Sequence, residues 1–477
     1  MPHSSKRATP SSPVGRYKAI DQAKPLIKPS PIRRPLPWCE PTHLVQELAH
    51  QFGTEGLVWL DGDGSGLGRW SRIGIHPLEQ QVCRGLPGTP GAGDPFAALA
   101  AIEASGGQWM GWLAYEAGAW VEPAPHWCSS DMAVLWAARF DPIVVIDHQS
   151  QTLWLEGSTP HRLEEMAGLI SAMAATHAEP GAGAATPGTA TPRAGAIPLD
   201  AWTWHTSASR FAEQVAQIRH WIDQGDVFQA NLTACCEANT PSAPDALGLY
   251  LRLRQTCPAP FGGLAIAAGP AQGEAVLSSS PERFLKVDGQ GLVETRPIKG
   301  TRPRHLDPQA DAAEAAQLIT SPKDRAENVM IVDLLRNDLG RVCQSGSIQV
   351  PQLVGLESYR HVHHLTSVVE GMLQPGQGVV DLLRATWPGG SITGAPKIRA
   401  CQRLAELEPV ARGPYCGSLF WLGPDGSFDS NILIRSVLIK DQRLRVHAGC
   451  GIVTDSDPAA EAEEMGWKLK PLLEALA

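Results

Sequence analysis

The stretch that constrains this chain most runs from Gly291 to Arg304. Gly291-Leu292-Val293-Glu294-Thr295-Arg296 alternates as a strand does and then meets Pro297, which has no N–H to give a central ladder. The pattern predicts a strand that stops at Pro297 and leaves Lys299 just past its end. Gly300 allows close approach of a ligand to the backbone, and Thr301 adds a hydroxyl beside an exposed N–H. Arg296, Arg302 and Arg304 are expected to crowd the same lysine. An ordinary lysine, with pKa about 10.4, keeps its proton at neutral pH, and freeing the amine at pH 7 costs roughly 4.6 kcal/mol. Nearby cations and desolvation lower that cost. Taken alone, the motif also reads as a solvated lysine in a basic surface loop.

From Pro198 onward helical and strand patterns alternate, the mark of an α/β chain. Phe211–Gln224 reads as an amphipathic helix closed by Gly225, and Val227–Thr233 as a strand. Ser321-Pro322-Lys323-Asp324 is a helix start, with serine at the N-cap, proline at N1 and an acid at N3. That helix should run to about Asp338. Ile432–Ile439 and Arg443–Ala448 should pair through Lys440-Asp441-Gln442, and Ala459–Leu473 should form a closing helix. Residues 37–178 read as a first lobe, with a helix at Thr42–Gln51 and strands at Leu57–Leu60, Trp109–Tyr115 and Ile143–Asp147. Residues 179–197, rich in Gly, Ala, Pro and Thr, read as a linker or surface loop, and 198–477 as a catalytic domain. Residues 1–36, with Asp21 the only acid, read as a disordered basic tail, and a transit peptide is the competing reading.

The 477 residues carry a formal net charge of −9, which argues against general nucleic-acid binding. An anionic substrate must then be met by local basic groups or a metal. Apolar runs such as Ile143-Val144-Val145-Ile146 are too short to span a bilayer, and the first residues lack a signal peptide's apolar core. The 10 cysteines contain no C-x-x-C pair, so neither a zinc site nor a disulfide framework is indicated, and a reducing cytoplasm fits.

Several groupings carry chemistry. Glu461, Glu464 and Lys468 share one helix face, and Glu327 stands early in the otherwise apolar Ser321 helix. Two helix-borne glutamates could meet as Mg²⁺ ligands, since Mg²⁺ takes one or two carboxylates plus waters and a substrate oxygen. For either helix alone, salt-bridged helix surface is the simpler reading. Gly389–Lys397 is a glycine-rich turn running into a helix at Pro396, where free N–H groups attract anions. Gly449-Cys450-Gly451 follows a strand and offers a second backbone anion nest. Arg435 lies within an apolar strand, and a buried guanidinium there calls for a carboxylate. No G-x-C-x-G glutaminase elbow occurs.

Taken in order, Gly225–Thr233, Ser279–Phe284, Thr295–Arg304, Asp324–Gly340, Gly390–Lys397, Tyr415–Arg435 and His447–Lys468 resemble the chorismate-utilising enzymes. The resemblance covers residue 200 to the C-terminus, with fainter echoes from 55 to 147. It implies a complex α/β fold in which antiparallel sheets form a sandwich with helices outside, the two lobes sharing one core. Members that add water to chorismate carry a base lysine where this chain has Gln229, and anthranilate synthases carry alanine where it has Lys299. A lysine there marks the members that form aminodeoxychorismate. The resemblance therefore implies amination of chorismate at C4 for p-aminobenzoate and folate synthesis, with ammonia from a glutamine amidotransferase on a separate chain. Anthranilate formation and a non-catalytic chorismate-binding scaffold are the alternatives.

By the same comparison, Lys299 is the nucleophile and Glu282 the acid that protonates the departing 4-hydroxyl. Glu327 and Glu464 are the implied Mg²⁺ ligands, with Glu461 nearby and Lys468 one turn on. Tyr415, Arg435 and the backbone of Gly449 and Gly451 match the site for the enolpyruvyl carboxylate. Gly300, Thr301, His364 and Ser391 match the ring side. His364, in a His361-x-His363-His364 cluster, could instead be a satisfied core histidine, and Ser391 could merely cap a turn. Family members often hold a tryptophan in the first lobe, and Gly68-Arg69-Trp70-Ser71 resembles part of that region, which leaves feedback control by tryptophan open.

Overall fold

The computed structural model describes residues 31–176, 195–359 and 362–477. Most of the expected tail, most of the linker, and His361 lie outside the described residues. At the tail boundary the expectation fails. Ile32–Leu36 is an edge strand paired with Thr152–Gly157, where Arg33 meets Glu156 at 2.9 Å and Arg34 meets Glu164 at 2.8 Å. Charges and a proline are what an edge strand tolerates, and they hid it among the tail's basic residues.

Among the described residues, a twelve-stranded and a ten-stranded antiparallel sheet form the frame. Each sheet joins one block of strands from before the linker to one block from after it, and the blocks meet at a single seam. Val58–Asp61 pairs with Phe261–Ile266, and Gln108–Leu113 pairs with Ser418–Leu422. The two-residue period of each strand explains the layers. In the larger sheet Trp59, Val144, Leu264, Leu277 and Val437 belong to a core shared with the helices Ala208–Asp223, Ala246–Thr256 and Pro458–Leu476. Their neighbours Val58, Val145, Ala265, Val276 and Leu438 point the other way, into the core shared with the smaller sheet. Each such aliphatic side chain contributes roughly 1.5–3 kcal/mol by leaving water. A one-residue slip would invert both faces.

The helix begun by Ser321 spans Pro322–Gly340, with the Ser321 hydroxyl accepting from Asp324 N, and the closing helix spans Pro458–Leu476. The hairpin forms as Ser436–Lys440 with Arg443–Ile452, so its first strand begins four residues later than Ile432 and Arg435 lies just before it and not within it. Pro297 does interrupt a ladder, but Lys299 is not past the strand end. Leu292–Thr295 and Ile298–Pro303 are two strands laid end to end against the long strand Val362–Met372, and Pro297 is the joint between them. All 10 cysteines are free, and no helix of the described residues is long and apolar enough to cross a membrane.

Candidate active site

The edge strand Ile298–Pro303 of the smaller sheet, the strands Gln229–Asn239 and Arg443–Ile452 of the larger one, and the helices Pro322–Gly340 and Pro458–Leu476 enclose a cavity of about 700 Å³. Its lining contains every candidate named from the sequence: Lys299, Glu282, Gly300, Thr301, His364, Ser391, Tyr415, Arg435, Gly449, Gly451, Lys468, Glu327, Glu461 and Glu464.

Lys299 and Thr301 should alternate with Gly300 across the strand, yet all three line the cavity. The cause is a bulge: the register to Val362–Met372 shifts between Lys299 and Thr301, with Gly300 at φ +76°. A Cβ on Gly300 would lie 2.8 Å from Leu318 and 2.9 Å from Asp324, so glycine is required twice over. The Lys299 side chain is 10% exposed, its Nζ donating to the Ser391 carbonyl at 3.3 Å and standing 3.9 Å from Glu327 Oε2. The three arginines do not crowd it. Arg296 pairs with Glu357, Arg302 with Asp324 at 3.5 Å and Arg304 with Asp311 at 2.8 Å, so each has its own carboxylate. Glu282 is 5% exposed, and burial pushes its carboxyl up to about 7 against the opposing pull of the Ser391 hydrogen bond and the Lys299 charge. It is an acid that can hold a proton near neutrality.

The opposite wall is carried by the two helices. Glu461 Oε1 accepts from Lys323 Nζ at 3.1 Å, and Glu464 Oε1 from Lys468 Nζ at 2.8 Å, while Lys468 also donates to Gly449 O at 2.9 Å. Lys323 was not singled out from the sequence, although it lies one turn before Glu327 on the same helix face. Burial raises the Glu327 carboxyl, with Lys299 and Lys323 opposing. Burial also works against the Glu464 charge, but Lys468 outweighs it and holds that carboxyl below its usual range. Donor atoms of Cys450, Glu461 and Glu464 lie within 4.8 Å of one another. Burial pushes the Cys450 thiol up to about 12, so it stays protonated and only the carboxylates offer oxygen to a hard cation. Glu461 and Glu464 thus offer oxygens close enough to suit one divalent ion, while Glu327, on the facing helix, is not part of that group, and among the described residues its carboxylate has no partner closer than Lys299 at 3.9 Å.

The third part of the cavity is cationic. Arg435 sits at φ +50°, a left-handed conformation costing a non-glycine residue roughly 1–2 kcal/mol. No carboxylate pairs with it among the described residues, so the expected internal partner is missing and a ligand carboxylate would meet an uncompensated guanidinium. Tyr415 stacks on His447 with ring centroids 4.8 Å apart. Pairing with Ser436–Lys440 ends at Val437 and Val446, so one edge of the strand Arg443–Ile452 is open where Gly449 and Gly451 line the cavity. These glycines lie inside that strand and not after it, and a Cβ on Gly451 would come within 3.5 Å of both Glu327 Oε2 and Lys299 Nζ. His363 is the satisfied histidine of the cluster, bonded to Ser358 at 2.7 Å and Asp311 at 3.1 Å. His364 instead faces the cavity, with Nδ1 2.9 Å from Thr301 Oγ1 and Nε2 unpartnered among the described residues. Burial, then the Arg435 charge, lowers it to about 4, so it is neutral at pH 7. Of the glycine-rich turn, Ser391 and Ile392 reach the cavity, while Lys397 is spent on Asp338 at 2.6 Å and Thr386 O at 2.7 Å.

The family model for chorismate binding enzyme matches residues 85–474, and the chain belongs to that family. Aminodeoxychorismate synthase component 1 of Salmonella typhimurium is 38% identical over 374 residues, 77% of this chain and 76% of that protein. Anthranilate synthase component 1 of Streptomyces coelicolor is 37% identical over 433 residues, 86% of this chain and 81% of that one. Among solved structures, anthranilate synthase component I from Streptococcus pneumoniae matches with a TM-score of 0.69 at 28% identity, covering 85% of this chain and 92% of that chain. The protein is a chorismate-utilising enzyme.

Proposed function

We propose that this enzyme is an aminodeoxychorismate synthase component I, converting chorismate and ammonia to 4-amino-4-deoxychorismate and water. The observation that carries the reading is a lysine, Lys299, inside the cavity with a buried acid, Glu282, and Ser391 bridging the two. Lys299 as free amine attacks C2 of the ring while protonated Glu282 gives its proton to the departing 4-hydroxyl, and the ring double bonds shift to join the two events. Ammonia then adds at C4 and the C2–N bond to Lys299 breaks, so the enolpyruvyl group stays. Arg435, Tyr415 and the open strand edge at Gly449 and Gly451 hold the enolpyruvyl carboxylate. Gly300, Thr301 and neutral His364 lie along the ring.

Glu327 and Glu464, with Glu461 beside them, would hold Mg²⁺. When bound, the ion offsets a substrate carboxylate against glutamates, where each close like-charged pair costs about 4 kcal/mol at an effective dielectric near 20. Ammonia would come from a separate glutamine amidotransferase subunit in the cytoplasm, a reading supported by the relatives called component 1.

A second reading, anthranilate formation by amination at C2 with pyruvate loss, is favoured by the similarly identical Streptomyces coelicolor relative. Product analysis of the purified chain with chorismate, Mg²⁺ and ammonium separates the two. Aminodeoxychorismate is expected, and anthranilate with released pyruvate would overturn the assignment.

A further inference from the structure

Ser391 stands between the two groups assigned to the chemistry, its carbonyl accepting from Lys299 at 3.3 Å and its hydroxyl bonded to Glu282. It belongs to a single turn, Gly390–Ile392, preceded by another glycine, and such a turn does not hold itself to catalytic accuracy. Its anchor lies behind the cavity, in a residue that does not line it. Arg412, 1% exposed, donates to Ile392 O and Asn231 O, both at 2.8 Å. Its Nε and Nη2 also grip the two oxygens of Glu408, at 2.8 and 2.6 Å. Glu408 in turn accepts from Thr233 N at 3.0 Å. One guanidinium therefore ties the residue after Ser391 to the strand Gln229–Asn239.

The first lobe closes this bracket from behind. The Tyr115 ring lies 4.6 Å from the guanidinium, Tyr115 N donates to Gly413 O at 2.9 Å, and Glu116 accepts from Gly413 N at 3.0 Å. A buried ion pair is weak evidence of a stabilising role, because desolvation cancels much of its attraction. The bonds from Arg412 run to the backbone of two cavity-lining residues, which a purely stabilising pair does not require.

We propose that Arg412, locked by Glu408, is the positioning residue that holds Ser391 between Lys299 and Glu282. The proposal rests on the roles given to those two residues, so its test reads chorismate consumption by any route. Arg412→Lys keeps the charge but cannot make the forked set of bonds. It should lower kcat about 100-fold while KM for chorismate stays within about threefold, because misplacement by about 1 Å acts on the chemical step. Ser391→Ala should give a loss of similar size, and the double variant should fall no further than about threefold below the worse single one, since coupled residues are not additive. Glu408→Gln, nearly isosteric, should lower kcat about tenfold and decides the matter if Arg412→Lys fails to fold. Losses that multiply in the double variant overturn the proposal, as does an Arg412→Lys defect carried by KM or by the folded fraction alone. Turnover of chorismate to a different product overturns the proposed function only, and the kcat pattern still decides the place of Arg412.

Discussion

The wall that presents Lys299 and Glu282 is dry throughout, while the helix-borne wall is dry at Glu327 and Glu461 and partly wet at Glu464, Lys468 and Lys323. Glu282 is 5% exposed and the side chains of Lys299, Glu327 and Glu461 are 10%, 11% and 5% exposed, against 49% for Glu464, 40% for Lys468 and 41% for Lys323. The difference follows from the scaffolds. The edge strand Ile298–Pro303 and the short link between the strands Glu274–Ser280 and Arg283–Val287 deliver Lys299 and Glu282 into space already emptied of water, where burial can raise a carboxyl to about 7. A helix laid along the rim has one dry flank and one wet one, so the pairs of Lys323 with Glu461 and Lys468 with Glu464 reach water through their lysines and stay partly screened. A dry wall suits groups that exchange protons and bonds with substrate. A partly wet wall whose carboxylates are held by lysines suits ligands that must come and go.

The largest effect should come from the dry wall. Enzyme quenched without ammonia should carry a covalent chorismate adduct detectable by mass spectrometry, and Lys299→Ala should remove it and lower aminodeoxychorismate formation by about 10³-fold or more, a barrier rise of about 4 kcal/mol. Formation at the wild-type rate would show that the lysine is only an electrostatic contact and that the contrast between the walls has been drawn in the wrong place.

Glu282→Gln should cost about 10²–10⁴-fold in kcat, the usual range for a general acid. The wild-type chain should also lose the acid as pH rises through about 7, where the buried carboxyl deprotonates. Since this carboxyl sits above its ordinary range of about 4.5 in the folded state, the native protein binds more protons than the unfolded chain between those values. Stability should therefore fall as pH rises from about 4.5 to about 7, and melting curves of Glu282→Gln should lack that slope. An unchanged slope in the variant would mean that this part of the wall is wetter than its geometry.

On the helix-borne wall the expectation reverses, with ligand binding affected more than folding. Glu327→Gln replaces a desolvated charge with a neutral amide, so its melting temperature should hold while Mg²⁺ binding and turnover fall by at least about 10²-fold. Full activity in EDTA would sink the metal reading altogether.

How much of this could be read from the residues depends on the range of the interactions involved. The serine N-cap, Pro322 and Asp324 are local, and they placed the helix of Glu327. The spacing of Glu461, Glu464 and Lys468 is local too, and it put them on one face. The bulge at Gly300 was not visible, because a two-residue period with one interruption looks the same as a strand that has ended. The separate carboxylates of Arg296 and Arg304, at Glu357 and Asp311, lie on other elements, so the arginines looked like a cluster around Lys299. Arg412 was missed for the same reason, since its partners Ile392 and Asn231 meet it only through the fold. The strand Ile32–Leu36 was hidden by its charges, and the sharing of both sheets between the two lobes is a matter of pairing that no local pattern encodes.

The smallest effect expected is also the sharpest test of the helix-borne wall. Lys323 bridges the two glutamate-bearing helices through Glu461, whose side chain is 5% exposed, and because 41% of the lysine side chain stays in water the pair should contribute no more than about 1 kcal/mol. Lys323→Met should therefore lower stability by less than about 1 kcal/mol in urea titrations. The same lysine competes with any cation for Glu461 and lies near enough to Glu327 to favour its charged form. Removing it should then raise Mg²⁺ affinity by up to about fivefold, the same free energy read as a binding constant. Calorimetry at low and high salt checks both halves, because a screened competitor loses its influence as ionic strength rises. A stability loss of several kcal/mol, or an affinity that falls when the lysine is removed, would show that Lys323 is part of a dry structural lock and that the two walls are alike.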